Sequence, residues 1–132
     1  MGKRKSLIIS FLSLALLFII GCTNVDEKAI PAIEFKTIVD AQESVIIDVR
    51  TPEEFMGGHI VGAASIDVYS DEFEHRFRFM DTNQCLALYC KGGSRSAQAL
   101  HILETEFGFT NLVYLQGGIN AWSKEGYELV EN

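Results

Sequence analysis

A chain of 132 residues suits one small domain with a modest core. Its 18 acidic residues outnumber 11 basic ones, a formal net charge of −7, and this excludes a nucleic-acid partner, whose phosphates need a basic face. Cys85, Cys90 and three scattered histidines lack metal-ligand spacing, so no metal is expected.

The first 21 residues read as a leader. Lys3, Arg4 and Lys5 form a positive start, and Leu7 to Ile20 is a run of 14 uncharged residues. That run is short of the roughly 20 residues of a bilayer span and suits a signal-peptide core. Ile19-Ile20-Gly21-Cys22 resembles the lipobox of bacterial lipoproteins. The resemblance implies cleavage before Cys22 and acylation of its thiol and amine. Several acyl chains would hold the protein to a membrane, where one alone is marginal. The expected location is the bacterial cell envelope, facing the periplasm or another extracytoplasmic space. The alternatives are an uncleaved N-terminal anchor or an ordinary signal peptide, with Cys22 incidental. Cleavage would leave 111 residues, with eight basic against eighteen acidic side chains, a net charge of −10. Any basic anion site must then be local.

After Cys22, the polar stretch Thr23 to Pro31 shows no apolar periodicity, so residues 22–31 read as lipidated cysteine and tether. The domain is expected over 32–132. Val45 to Asp48 is a continuous β-branched run, as in a strand buried on both faces. Thr51, Pro52 and Glu54 then spell a helix start, with Thr51 and Glu54 closing a capping box. Ala64 to Val68 predicts a short strand. Phe73, Phe77 and Met80 follow at helical spacing, with acids early and arginines late, matching the helix dipole. Cys85 to Tyr89 predicts the next strand. From Ser94 to Phe107, Ala97, Leu100, Leu103 and Phe107 form one stripe and Gln98, His101 and Thr105 lie opposite. Leu112 to Leu115 is a strand, Gly117-Gly118 breaks the chain, and Ile119 to Lys124 is a last helix. Alternating strands and helices imply an α/β fold, a parallel sheet covered on both faces. Ligands bind such sheets beyond the carboxyl ends of the strands.

Cys90 stands at such an end. A Cys85–Cys90 disulfide is excluded by length: five strand steps span about 16 Å, and bridged Cα atoms lie within roughly 7 Å. Cys85 is expected to be a small buried strand residue and Cys90 an exposed free thiol. In the run Cys90-Lys91-Gly92-Gly93-Ser94-Arg95-Ser96, the glycines let the backbone curl into a nest of N–H groups. The helix starting near Ser94 adds donors and partial positive charge, and Lys91 and Arg95 add full charges. An anion is favoured there, and it could be the thiolate of Cys90 itself. An unperturbed thiol is only about 3% ionised at pH 7, so a nucleophile needs this activation. The alternative is a buried cysteine before an ordinary β–α turn. Dinucleotide and Walker loops do not fit, for want of their glycine and lysine spacing.

Three segments together resemble a single rhodanese domain. They are "DVRTPEEFMGGHIVGA" (Asp48 to Ala63), "CKGGSRS" (Cys90 to Ser96) and "GGINAW" (Gly117 to Trp122). The resemblance covers Ala32 to about Val130 and implies a rhodanese-like three-layer fold, with a central parallel sheet between helices. It implies a sulfurtransferase of the thiosulfate type, in which Cys90 takes sulfur from a small anionic donor and holds it as a persulfide. A thiophilic acceptor, a thiol or cyanide, then removes it, and the resemblance implies that no cofactor is needed. Lys91, Gly92, Gly93, Ser94 and Arg95 would bind donor and persulfide, Ser96 would start the helix, and Cys90 would be catalytic. Arg95 has a second reading, in which it turns back onto an acidic residue and braces the loop. Asp48 and Arg50 are expected to pair as structural charges. His59 is expected to be a hydrogen-bonded structural imidazole, and His75 and His101 to occupy polar helix positions. Val61 and Ser65 depart from the proline and asparagine common in the family. Phosphatases and arsenate reductases of this fold resemble Cys-x5-Arg, and the Cys-x4-Arg spacing here is one residue shorter. The competing functions are a persulfide carrier or redox-sensing module without turnover, and a phosphatase or arsenate enzyme.

Overall fold

The computed structural model describes residues 26–131. The leader, Cys22 and the first part of the expected tether lie outside the described residues.

In chain order the elements are β1 Ala29–Ile30, α1 Ala32–Ala41, β2 Val45–Asp48, α2 Pro52–Met56, β3 Ala64–Ser65, α3 Glu72–Phe77, β4 Leu86–Tyr89, α4 Ser94–Thr105, β5 Leu112–Leu115 and α5 Gly118–Lys124. The sheet order is β1-β5-β4-β2-β3, with every pairing parallel and β4 in the centre. Asp48 pairs with Tyr89 in register, and Leu88 with Tyr114.

Strand alternation sorts the core into two layers. Ile47, Leu86, Leu88 and Leu112 face α3 and α4, where Phe73, Phe77, Ala99, Leu100 and Leu103 meet them. Ile46, Ala87, Tyr89 and Leu115 face α1 and α5, against Phe35, Val39, Ile119 and Trp122. The Phe35 ring stands edge-on to both Tyr89 and Trp122, at 6.3 Å between centroids in each case. Each aliphatic side chain so buried contributes about 1.5–3 kcal/mol, which is how four-residue strands hold a central sheet. The α/β architecture with helices on both faces is the one the sequence implies.

Several details differ. The tether does not run to residue 31, because Ala29 and Ile30 pair with Tyr114 and Leu115 as β1, and Ile30 is buried. The ladder of β3 stops at Ser65. Ile66 and Val68 still donate to the Asp48 and Val49 carbonyls at 2.9 and 3.2 Å, but the Asp67 carboxylate then takes the Tyr69 N–H and turns the chain. Cys85 is exposed, not buried. It precedes β4 at the amino end of the sheet, lining an open cavity with Ile38, Ser44 and Thr110. On α4 the buried stripe is Ser96, Ala99, Leu100 and Leu103, so Ala97 lies at its margin.

Candidate active site

Cys90 follows the last residue of the central strand, at the carboxyl end of the sheet. It is 1% exposed, packed in the layer of α3 and α4, so the expected exposed thiol is a recessed one. The chain then reverses through Gly93, whose φ of +110° favours glycine, and α4 begins at Ser94. The reversal aims the Gly93 N–H at the Cys90 Sγ, at 3.0 Å. Ser96, fully buried on the first turn of α4, holds its hydroxyl 3.5 Å from Sγ and donates to the Gly93 carbonyl at 2.9 Å.

The loop carbonyls are held from the other side. The Ile119 N–H donates to the Cys90 carbonyl at 2.8 Å, and the Asn120 N–H to the Lys91 carbonyl at 3.1 Å. This engagement brings α5 so close that a Cβ on Gly118 would lie 2.5 Å from the Cys90 oxygen and from the Lys91 carbonyl group. With its carbonyls fixed on α5, the loop turns N–H groups toward the sulfur. Burial alone would raise the thiol pKa. The Ser96 hydroxyl and the N–H groups of Ser96, Gly93 and Gly92 outweigh it, and the pKa is lowered. The predicted nest for an anionic sulfur is thus assembled from Cys90, Gly92, Gly93 and Ser96.

The charges divide differently from expectation. Lys91 is exposed and has no carboxylate within ion-pair distance among the described residues. Arg95 is engaged: its guanidinium donates to both Glu54 oxygens, at 2.7 and 2.9 Å. The bracing contact with an acidic residue, the second of its two expected readings, is thus present. Glu54 also closes the capping box of α2, taking the Thr51 N–H at 3.1 Å while its own N–H donates to the Thr51 hydroxyl at 3.3 Å. The Arg95 bond holds the Glu54 carboxyl down at about 2, against a smaller upward push from burial, and the Thr51 N–H adds to the lowering.

The remaining motif residues form the frame. Arg50 grips Asp48 in a buried pair, Nε to Oδ1 at 3.0 Å and Nη2 to Oδ2 at 2.7 Å, and donates to the Gly58 carbonyl at 2.7 Å. The Tyr89 hydroxyl accepts the Ile60 N–H at 3.0 Å, and its pKa is pushed up by burial. His59 is buried, stacked on Phe55 at 3.7 Å, with Nδ1 3.0 Å from the Phe55 carbonyl. Its backbone pairs with Val130. These contacts occupy the imidazole structurally. His75 and His101 are exposed on their helices. Among the described residues no cluster of His, Cys, Asp and Glu is placed to hold a metal.

Sequence reasoning missed two contributors. Glu54 is legible as a cap but not as the partner of Arg95, and Gly118 is legible as a break but not as the contact surface of the loop. Only the positive φ that a Gly-Gly pair permits hints at the second.

The family described as Rhodanese-like domain matches residues 32–125. Over 81 residues the chain is 36% identical to the uncharacterized protein YqhL of Bacillus subtilis, covering 61% of this chain and 62% of YqhL, less than two thirds of its length. Over 93 residues it is 29% identical to a sulfurtransferase of Allochromatium vinosum, covering 70% of this chain and 84% of that protein. The crystal structure of a rhodanese-related protein from Thermoplasma volcanium superposes with a TM-score of 0.68 at 28% identity, covering 80% of this chain and 99% of that one.

Proposed function

Because the chain belongs to the rhodanese-like domain family, we propose that it is a sulfurtransferase working through a persulfide on Cys90. The observation that carries this reading is the recessed Sγ met by N–H groups and the Ser96 hydroxyl, in a loop whose carbonyls are tied to α5. The thiolate attacks the outer sulfur of a small anionic donor such as thiosulfate. A sulfur–sulfur bond forms to Cys90, the donor's own sulfur–sulfur bond breaks, and sulfite leaves with the electron pair. The Ser94 and Arg95 N–H groups, which bond no carbonyl among the described residues, are free to donate to the new terminal sulfur. An acceptor thiolate, or cyanide, then attacks that sulfur, and the Cys90 thiolate departs with its electrons. Lys91 draws the donor in against an acidic surface. The Glu54 carboxylate on Arg95 removes the cation that a phosphatase or arsenate enzyme would use on its oxyanion, so the sulfur reading is preferred.

The leader's basic start, its short apolar run and Ile19-Ile20-Gly21-Cys22 support a second part of the reading, attachment to the cell-envelope membrane through lipid on Cys22. Fatty-acid labelling of the expressed protein, lost in Cys22→Ala, tests it.

For the chemistry, the mass of the protein is read after thiosulfate, before and after reductant. A reversible gain of one sulfur, absent in Cys90→Ser, with thiocyanate formed on adding cyanide, is the expected result. An adduct without turnover would make the protein a carrier, and no adduct on reduced Cys90 would exclude thiosulfate as donor.

A further inference from the structure

We propose that Glu54 is a specificity-determining positioning residue, whose carboxylate engages and neutralises the Arg95 guanidinium and leaves Lys91 as the uncompensated cation an anionic donor meets. The inference rests on the sulfurtransferase reading of Cys90 and extends it to the choice of donor. Arg95 lies five residues after the nucleophile, on the first turn of α4, and Glu54 lies on the first turn of α2. These helices follow β4 and β2, neighbouring strands of the sheet, so the two side chains meet at the carboxyl end of the sheet, the end that carries Cys90. Both guanidinium nitrogens that face Glu54 are spent on it, one per oxygen. The carboxylate is fixed in turn, because the oxygen that takes Arg95 Nη1 also takes the Thr51 N–H. Arg95 is therefore held by a rigid partner, not a mobile one.

The consequence is graded attraction. A mouth with two uncompensated cations would bind any oxyanion tightly, including the sulfite that must leave. With Arg95 neutralised, the single Lys91 charge attracts a thiosulfate-like donor without trapping the product.

The test compares alkylation of Cys90 by iodoacetate, an anion, and by iodoacetamide, a neutral analogue, in the full chain, followed by mass at the Cys90 peptide. The ratio of the two rates reads the cations presented to an incoming anion. It does not depend on sulfur turnover, so failure of the sulfurtransferase reading and failure of this proposal separate. Glu54→Gln keeps a capping oxygen for the Thr51 N–H but releases Arg95, and the ratio is expected to rise roughly three- to tenfold. Lys91→Gln is expected to lower it by a similar factor. The double variant Glu54→Gln with Arg95→Gln removes both members of the pair, so neither charge is left without its partner, and a thermal melt of each variant checks that it is folded. Its ratio is expected within about twofold of the unaltered protein, because the charge of Arg95 was already balanced by Glu54. A double variant as low as Lys91→Gln would show that Arg95 meets the anion directly and would overturn the proposal. So would a folded Glu54→Gln protein with an unchanged ratio.

Discussion

The Ile119 N–H donates to the Cys90 carbonyl at 2.8 Å, and with that bond the last helix governs the orientation of the peptide that carries the nucleophile. Gly118 is the residue that permits the approach, at a φ of +58° and with no room for a Cβ against the backbone of Cys90 and Lys91. Gly118→Ala is expected to lose about 1–3 kcal/mol of stability and to return the Cys90 thiol toward ordinary reactivity. Urea unfolding and iodoacetamide labelling at neutral pH check both. Unchanged labelling would mean that the loop holds its shape without α5.

Ser96→Ala removes the hydroxyl beside Sγ, whose one proton is shared between the Gly93 carbonyl and the thiolate when it forms, and leaves the backbone donors in place. A hydrogen bond to a charged group is worth about 1.5–3 kcal/mol, and at 3.5 Å this one stands at the low end, so the alkylation rate at neutral pH is expected to fall about tenfold. The thiol pKa moves up. A pH profile of alkylation separates this from mere loss of access, which would lower the rate at every pH.

How much of this was legible follows from the range of each interaction. The Val45–Asp48 run and the Thr51–Glu54 box are local signals, and the structure contains both. The helix α1 gives little local notice: it starts after Pro31 with no capping side chain, and Ile33, 66% exposed, blurs its apolar face. The exposure of Cys85 escapes periodicity, which tells which face of a strand a residue takes but not whether a helix reaches far enough to cover it. The Arg95–Glu54 bond depends on β2 lying next to β4, a pairing between segments 41 residues apart. Cys90 itself was readable because its loop carries the nest chemistry in one contiguous stretch.

The buried Asp48–Arg50 pair predicts a large and asymmetric effect. Asp48→Asn leaves the Arg50 guanidinium buried without its counter-charge and is expected to cost about 3–5 kcal/mol, much of the roughly 5–15 kcal/mol of a domain. Replacing both residues with apolar ones of similar volume is expected to cost less than the single change. Denaturant titration of the two variants decides it.

Acid stability reports on Glu54. Its carboxyl is lowered to about 2 in the folded protein, so it binds protons less readily than in the unfolded chain. The stabilisation is complete above the ordinary carboxylate pKa and is lost as pH falls from there toward 2. Glu54→Gln is expected to be less stable than the unaltered protein at neutral pH, with the gap closing across that acid window. Parallel thermal melts between pH 6 and 2 would show a constant gap if the pair contributed nothing.

β1 runs parallel to β4 through β5, and its register sets Ala29 level with Tyr114 and so with Leu88, two residues before Cys90. The first strand therefore flanks the carboxyl half of the sheet, the half that carries the nucleophile, with β5 between them. Substitutions in β1 thus act on the working end of the domain, although they stand some sixty residues ahead of Cys90 in the chain.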